Sequence, residues 1–252
     1  DGLVLSFKNG METLIRSLQK KLPAGTVRTG VMVQDVRFDA DTKRWSLAGA
    51  DGEKFEADVL CQALPARVSS VLLRPAAAEV SRILEEVRYE SVATLNLVYK
   101  REQVRHALDG FGYVVPQTER LTHMACTFSS QKFEGRAPDG HVVLRAFVGG
   151  FYGQSWLKKE DAELIEITQK ELETLLKIEG KPLLASFQRY PDAMVQYRVG
   201  HSELISRLQR ELKKYPGLFL TGASYRGIGI PDCIEEACAQ AETIDSYLRS
   251  RS

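Results

Sequence analysis

Apolar positions along this chain follow two periods, and the switches between them mark its elements. From Gly10 to Leu22 the residues Met11, Leu14, Ile15, Leu18 and Leu22 recur at spacings of three and four, which predicts one amphipathic helix ended by Pro23 and Gly25. Val31, Val33, Val36 and Phe38 then alternate with polar neighbours, with a slip of phase at Gln34 and Asp35. Trp45 and Leu47, an Asp51-Gly52 turn and the run from Phe55 to Leu64 complete a predicted β-meander.

A second helix is predicted from Pro75 to Val87, followed by longer strands over Val92 to Tyr99, Gly112 to Val115, Thr122 to Phe128 and His141 to Val148. The charged segment from Glu160 to Ile178 reads as a helix with Leu164, Ile165, Leu172, Leu175 and Leu176 inward, stopped by Gly180 and Pro182. Leu183 to Tyr190 supplies another strand, and Ser202 to Leu212 another helix. The sum is a mixed α/β (α+β) fold whose central strands form a largely antiparallel or mixed sheet. No repeat and no low-complexity linker separates two halves, so two interleaved domains are expected: residues 1–72 with 203–252, and residues 73–202.

Composition narrows the partners. Among 252 residues, 34 basic and 33 acidic side chains leave a formal charge of +1, which gives no reason to expect nucleic acid or an anionic membrane surface. Neither a membrane-spanning run nor a signal-peptide pattern is present in the sequence, and the cytoplasm is the expected location. Cys61, Cys126, Cys233 and Cys238 lack metal-ligand spacing and read as buried reduced thiols. The histidines at 106, 123, 141 and 201 are scattered, so no metal site is expected. No nucleophile elbow or paired-carboxylate arrangement stands out, and no catalytic side chain is assigned.

The segment with the most chemical content is residues 218–234: the apolar run Leu218-Phe-Leu-Thr, then Gly222-Ala-Ser-Tyr-Arg-Gly-Ile-Gly-Ile-Pro-Asp-Cys-Ile. A strand, a glycine-broken loop and a helix opening at Pro231 can aim backbone N–H groups at a ligand, with Gly227 and Gly229 admitting a flat or anionic group. Ile234, Ala237, Ala241, Ile244 and Leu248 continue the helix with one apolar stripe. An ordinary strand-to-helix connection would have the same spacing.

The wording of this segment closely resembles the C-terminal flavin motif of the protoporphyrinogen oxidases, FAD enzymes of haem biosynthesis. Three more matches occur in the family's order: Phe7-Lys-Asn-Gly-Met-Glu-Thr-Leu, the block from Gly110-Phe-Gly-Tyr-Val-Val-Pro to Phe147-Val-Gly-Gly, and Gln196-Tyr-Arg-Val-Gly-His. The G-x-G-x-x-G turn with which such flavoproteins open does not occur in these residues, so the resemblance implies a C-terminal portion of an oxidase, inactive alone.

The resemblance implies FAD as cofactor, protoporphyrinogen IX or coproporphyrinogen III as substrate and oxygen as acceptor. It implies a partial FAD-binding domain of the flavin amine oxidase type interleaved with the substrate domain. In this family the main chain of a valine in the first meander strand meets the adenine, which points to Val33. Tyr190 matches an aromatic near the flavin, and Gly222, Ile228, Gly229 and Ile230 match the loop and helix start at the flavin's pyrimidine edge. Val114, Thr127 and Phe147 match the substrate wall.

Several positions depart from the family pattern: Tyr190 stands where relatives often have Trp, Thr127 where many have a bulkier aliphatic residue, and Val195 where a proline is usual. The resemblance leaves open peripheral membrane attachment and oligomeric state. Two alternatives share its features: another flavin amine oxidase or desaturase-type oxidoreductase, and a non-catalytic tetrapyrrole-binding module.

Overall fold

The computed structural model describes residues 5–251. In chain order the helices and strands are α1 Glu12–Lys21, β1 Val33–Asp39, β2 Arg44–Gly49, β3 Lys54–Ala57, β4 Leu60–Gln62, α2 Ala66–Leu73, α3 Ala78–Glu85, β5 Arg88–Lys100, β6 Gly112–Val114, β7 His123–Phe128, α4 Ser129–Lys132, β8 His141–Gly149, α5 Asp161–Leu176, β9 Leu184–Gln196, α6 His201–Leu212, β10 Leu218–Leu220 and α7 Ile230–Arg251. They fold into two compact units, each assembled from two chain segments. The first holds the described residues up to Val27 with Tyr89–Met194, and the second holds Arg28–Arg88 with the described residues from Val195 onward.

The first unit is built on a five-stranded sheet in the order β6-β7-β8-β5-β9, with the pairs β6-β7, β7-β8 and β8-β5 antiparallel. Period-two alternation divides its residues by face. Leu95, Leu97 and Tyr99 of β5 join Cys126, Leu144 and Ala146 in one buried layer, covered by Leu172 and Leu176 of α5. Helix α5 places Leu164, Thr168, Leu172 and Leu176 inward, whereas Leu175, expected inward, is exposed because it lies one residue off that stripe.

In the second unit β1, β2 and β3 form an antiparallel meander, and β4 pairs in parallel with β10. The expected slip at Gln34 and Asp35 is a register shift between Val33 and Asp35. The run expected as one strand from Phe55 to Leu64 is two strands in different sheets, β3 and β4. Trp45 is fully buried, stacks obliquely on Phe38 and donates its indole N–H to the Pro216 carbonyl at 3.0 Å, tying the meander to the chain before β10. Helix α2, which follows Pro65, was not expected; α3 is shorter than the predicted 75–87.

Two predicted helical stripes exist but are uncovered. Neither α1 nor α7 contains a buried residue, and Met11, Ile15, Leu18 and Leu22 in and around α1, like Ile234 and Leu248 of α7, are exposed. The cysteines also depart from expectation: all are free thiols, but only Cys126 is buried, while Cys61 and Cys238 are exposed and Cys233 is half-buried. No helix among the described residues is long and apolar enough to cross a membrane.

Candidate functional site

In the second unit, the Gln196-to-His201 phrase and the start of α2 converge on the glycine loop of residues 222–229. Tyr197 donates its hydroxyl hydrogen to the Ala223 carbonyl at 2.8 Å, and His201 donates from Nε2 to the Tyr225 carbonyl at 3.0 Å. The two rings stack with centroids 4.0 Å apart, so the Gln196-to-His201 phrase is a clamp on the loop. From inside the loop, Ser224 Oγ accepts the Ala66 N–H at 3.1 Å and so satisfies a donor at the start of α2, joining that helix to the same place. Sequence reading assigned no role to Tyr197, His201 or Ser224. Their presence within a matching phrase was the only signal.

The loop leaves β10 through Gly222, whose φ of +113° is a conformation a side chain would resist. Gly227 and Gly229 are required for a different reason. A Cβ on Gly227 would fall 2.3 Å from Asp232 Cβ, and one on Gly229 would fall 2.9 Å from Asp232 Oδ2. Asp232 folds back over the loop and accepts the Gly229 N–H at 3.0 Å, capping α7. The expectation of bare N–H groups at this helix start is thereby corrected: the Gly229 donor is taken, and a carboxylate already sits at the electropositive end. Ile228 and Ile230 flank the glycine with 64% and 51% of their surface exposed.

The carboxyl ends of β4 and β10 meet this loop. There Gln62 Oε1 and Thr221 Oγ1 are buried without a hydrogen-bond partner among the described residues. Buried polar atoms without partners are costly, and the carboxyl ends of parallel strands are where open α/β sheets receive ligands. The residues therefore fit a cofactor with a hydrogen-bonding edge held by main chain and short polar groups. Val33 sits half-buried at the start of β1, opposite Gly49.

In the first unit, the sheet face opposite α5 is uncovered and forms an open depression of about 810 Å³, whose lining includes Phe147 and Tyr190. Register shows how the sequence builds it. Val114 pairs with Ala125, Ala125 with Phe147 and Phe147 with Thr94, one row across four strands. The row two residues away runs Gly112, Thr127, Arg145, Asn96. Val114, Thr127 and Phe147 thus share this face, with Val114 80% exposed and Phe147 half-buried. Tyr190, which the resemblance associates with the cofactor, lines the same depression with 43% of its surface exposed.

On the covered face a buried hydrogen-bond chain runs from β6 to α5. Glu171, a carboxylate, accepts from His123 Nδ1 at 2.7 Å and from the Thr122 hydroxyl at 2.6 Å. Nδ1 therefore carries the proton and Nε2 accepts from the Tyr113 hydroxyl at 2.9 Å. Burial pushes the Glu171 carboxyl up, but the hydrogen bonds from His123 and Thr122 outweigh it and hold the carboxyl below its usual value. Burial raises the Tyr113 phenol and pushes the Cys126 thiol up to about 12, so neither is a reactive anion at neutral pH.

A glycine loop between a parallel strand and a long helix, in a chain that also carries an open antiparallel sheet, suits a protein that receives a cofactor at strand ends and a second ligand on a sheet face. Residues 1–245 match the family described as flavin containing amine oxidoreductase, and the chain belongs to that family. It is 30% identical over 250 residues to the coproporphyrinogen III oxidase of Bacillus subtilis (strain 168), a match covering 99% of this chain and 52% of that protein. To the mitochondrial protoporphyrinogen oxidase of Nicotiana tabacum it is 28% identical over 261 residues, covering 98% of this chain and 52% of the relative.

A crystal structure described as a protoporphyrinogen oxidase from Exiguobacterium sp. 255-15 superposes with a TM-score of 0.85 at 29% identity, covering 98% of this chain and 53% of that one. Putrescine oxidase, at 12% identity and a TM-score of 0.73, shares the fold alone. The chain spans about half the length of the curated relatives it matches.

Proposed function

We propose that this chain supplies the substrate-facing sheet and the C-terminal cofactor segment of an FAD-dependent oxidase that converts protoporphyrinogen IX or coproporphyrinogen III to the porphyrin, with oxygen as acceptor. The observation that carries this reading is the uncovered sheet face on which Val114, Thr127, Phe147 and Tyr190 come together. The names of the relatives, which are coproporphyrinogen and protoporphyrinogen oxidases, support it.

In this reading the described residues up to Val27 with Tyr89–Met194 form the substrate unit, and Arg28–Arg88 with the described residues from Val195 onward form the cofactor unit. The divisions at 88/89 and 194/195 lie 16 residues and 8 residues from those at 72/73 and 202/203 expected from sequence, and the described residues up to Val27, expected in the cofactor unit, group with the other one. FAD would be held by the main chain at Val33, by Gly222, Ile228, Gly229 and Ile230, and by the partnerless Gln62 and Thr221 oxygens. Bound there, the flavin supplies the acceptor for the hydride equivalents leaving the substrate.

The residues of this chain perform the rest by binding. Phe147 offers a ring face to a pyrrole, Val114 and Ala125 extend the apolar wall, and Tyr190 closes the other side of the depression. Among the described residues no carboxylate or histidine lines the depression, so its work in this reading is to orient a ring carbon. The protein would lie in the cytoplasm, with or without peripheral contact with a membrane.

The test is oxygen-dependent porphyrin formation, followed by fluorescence, by the flavin-loaded protein that contains this chain. Turnover of either porphyrinogen is the expected result. A protein with full FAD occupancy that oxidises neither would overturn the proposal.

A further inference from the structure

The uncovered face is not uniformly apolar. The row of Val114, Ala125 and Phe147 is bordered by a row in which Thr127, Arg145 and Asn96 stand side by side on neighbouring strands. At the spacing of a β-strand the two rows lie about 7 Å apart. Arg145 is held in place by one hydrogen bond, from its Nε to Asn96 Oδ1 at 2.7 Å. That bond uses one edge of the guanidinium, and among the described residues no carboxylate neutralises the rest. A cation steadied by an amide, beside a hydroxyl and at the border of an apolar wall, is arranged to take a carboxylate from a molecule whose flat body lies on that wall.

We propose that Arg145, positioned by Asn96 and flanked by Thr127, forms a carboxylate subsite for a substrate propionate, and that it favours the tetracarboxylate over the dicarboxylate porphyrinogen. This rests on the porphyrinogen-oxidase reading above. Coproporphyrinogen III carries a propionate on every pyrrole, so any in-plane orientation of the macrocycle brings an acid to the row. Protoporphyrinogen IX carries its two propionates on adjacent rings and vinyl groups on the others. In half of its orientations it would set an apolar vinyl against a guanidinium, which loses solvation without gaining a partner. The polar row therefore discriminates by the number of acids and the apolar row by ring size and flatness.

The experiment compares specificity constants for both porphyrinogens in flavin-loaded protein carrying Arg145→Met, Arg145→Gln or Arg145→Lys, with flavin content and melting measured on each. Loss of a charge-assisted bond predicts that the Met and Gln variants shift the tetracarboxylate-to-dicarboxylate ratio roughly 10- to 100-fold toward the dicarboxylate, chiefly through KM. The Lys variant, which keeps the charge without the fork, should recover part of the ratio. If wild-type protein turns over one or both substrates and no folded variant moves the ratio, the subsite is wrong while the oxidase reading stands. If flavin-loaded wild type turns over neither, the oxidase reading falls and takes the subsite with it.

Discussion

At Gly229 a missing side chain matters because of a single neighbour. The Asp232 carboxylate occupies the space a Cβ would need and accepts the Gly229 N–H, so Gly229→Glu would both displace this cap and set a second negative charge against it. Losing the cap should cost about 1 kcal/mol of stability. Flavin occupancy of the flavin-loaded enzyme should fall well before circular dichroism changes, and normal occupancy in the variant would remove residues 227–230 from the cofactor site. Phe147 makes the opposite prediction. Phe147→Ala should leave FAD content intact while lowering the specificity constant for a porphyrinogen by roughly 5- to 150-fold, as loss of a stacking face costs on the order of 1 to 3 kcal/mol. Kinetics matching wild type, in a variant that melts normally, would make Phe147 packing only.

Strand β7 and helix α5 are pinned to each other by the Glu171 hydrogen bonds as well as by apolar packing. With its carboxyl held below the ordinary 4.5, Glu171 contributes stability that is complete above that value and lost as the pH falls through the depressed one. Glu171→Gln should lower stability at neutral pH by about 1 to 3 kcal/mol, because buried donors lose their acceptor, and should flatten the acid limb of a plot of urea midpoint against pH. An acid limb as steep as wild type would place the sensitivity elsewhere.

None of this chain was legible in the sequence, where His123 and Glu171 are 48 positions apart. Most strands were legible, down to the phase slip at β1, because alternation records which residues share a face, but it did not separate β3 from β4, which belong to different sheets. Whether a face is covered is not recorded: α1 and α7 carry the predicted apolar stripes and bury nothing, and Cys61 sits on a strand yet is exposed. Val114, Thr127 and Phe147, proposed above as a substrate wall, owed their selection to a family phrase. What united them is a register that only the folded sheet displays.

At the scale of the molecule, the proposed cofactor site rests on backbone and short polar groups, and these 252 residues contain no G-x-G-x-x-G turn to take a pyrophosphate. The chain expressed by itself should elute from gel filtration without stoichiometric FAD, and a retained yellow band at one flavin per chain would contradict that. The parallel pairing of β4 with β10 has a further consequence, for the order in which the protein is made. Leu60 finds its partner at Leu218, and Trp45 its indole acceptor at Pro216, 171 positions later. Contacts of such long sequence separation form slowly, because a large loop must close before any of them is rewarded. A nascent chain must therefore carry an unpaired β4 until Leu218–Leu220 has been made, and its second unit can close only when that segment has left the ribosome. In a Trp156→Phe background, chains stopped at residue 200 should show the red-shifted emission of a solvated Trp45, and extension through residue 222 should shift it to the blue.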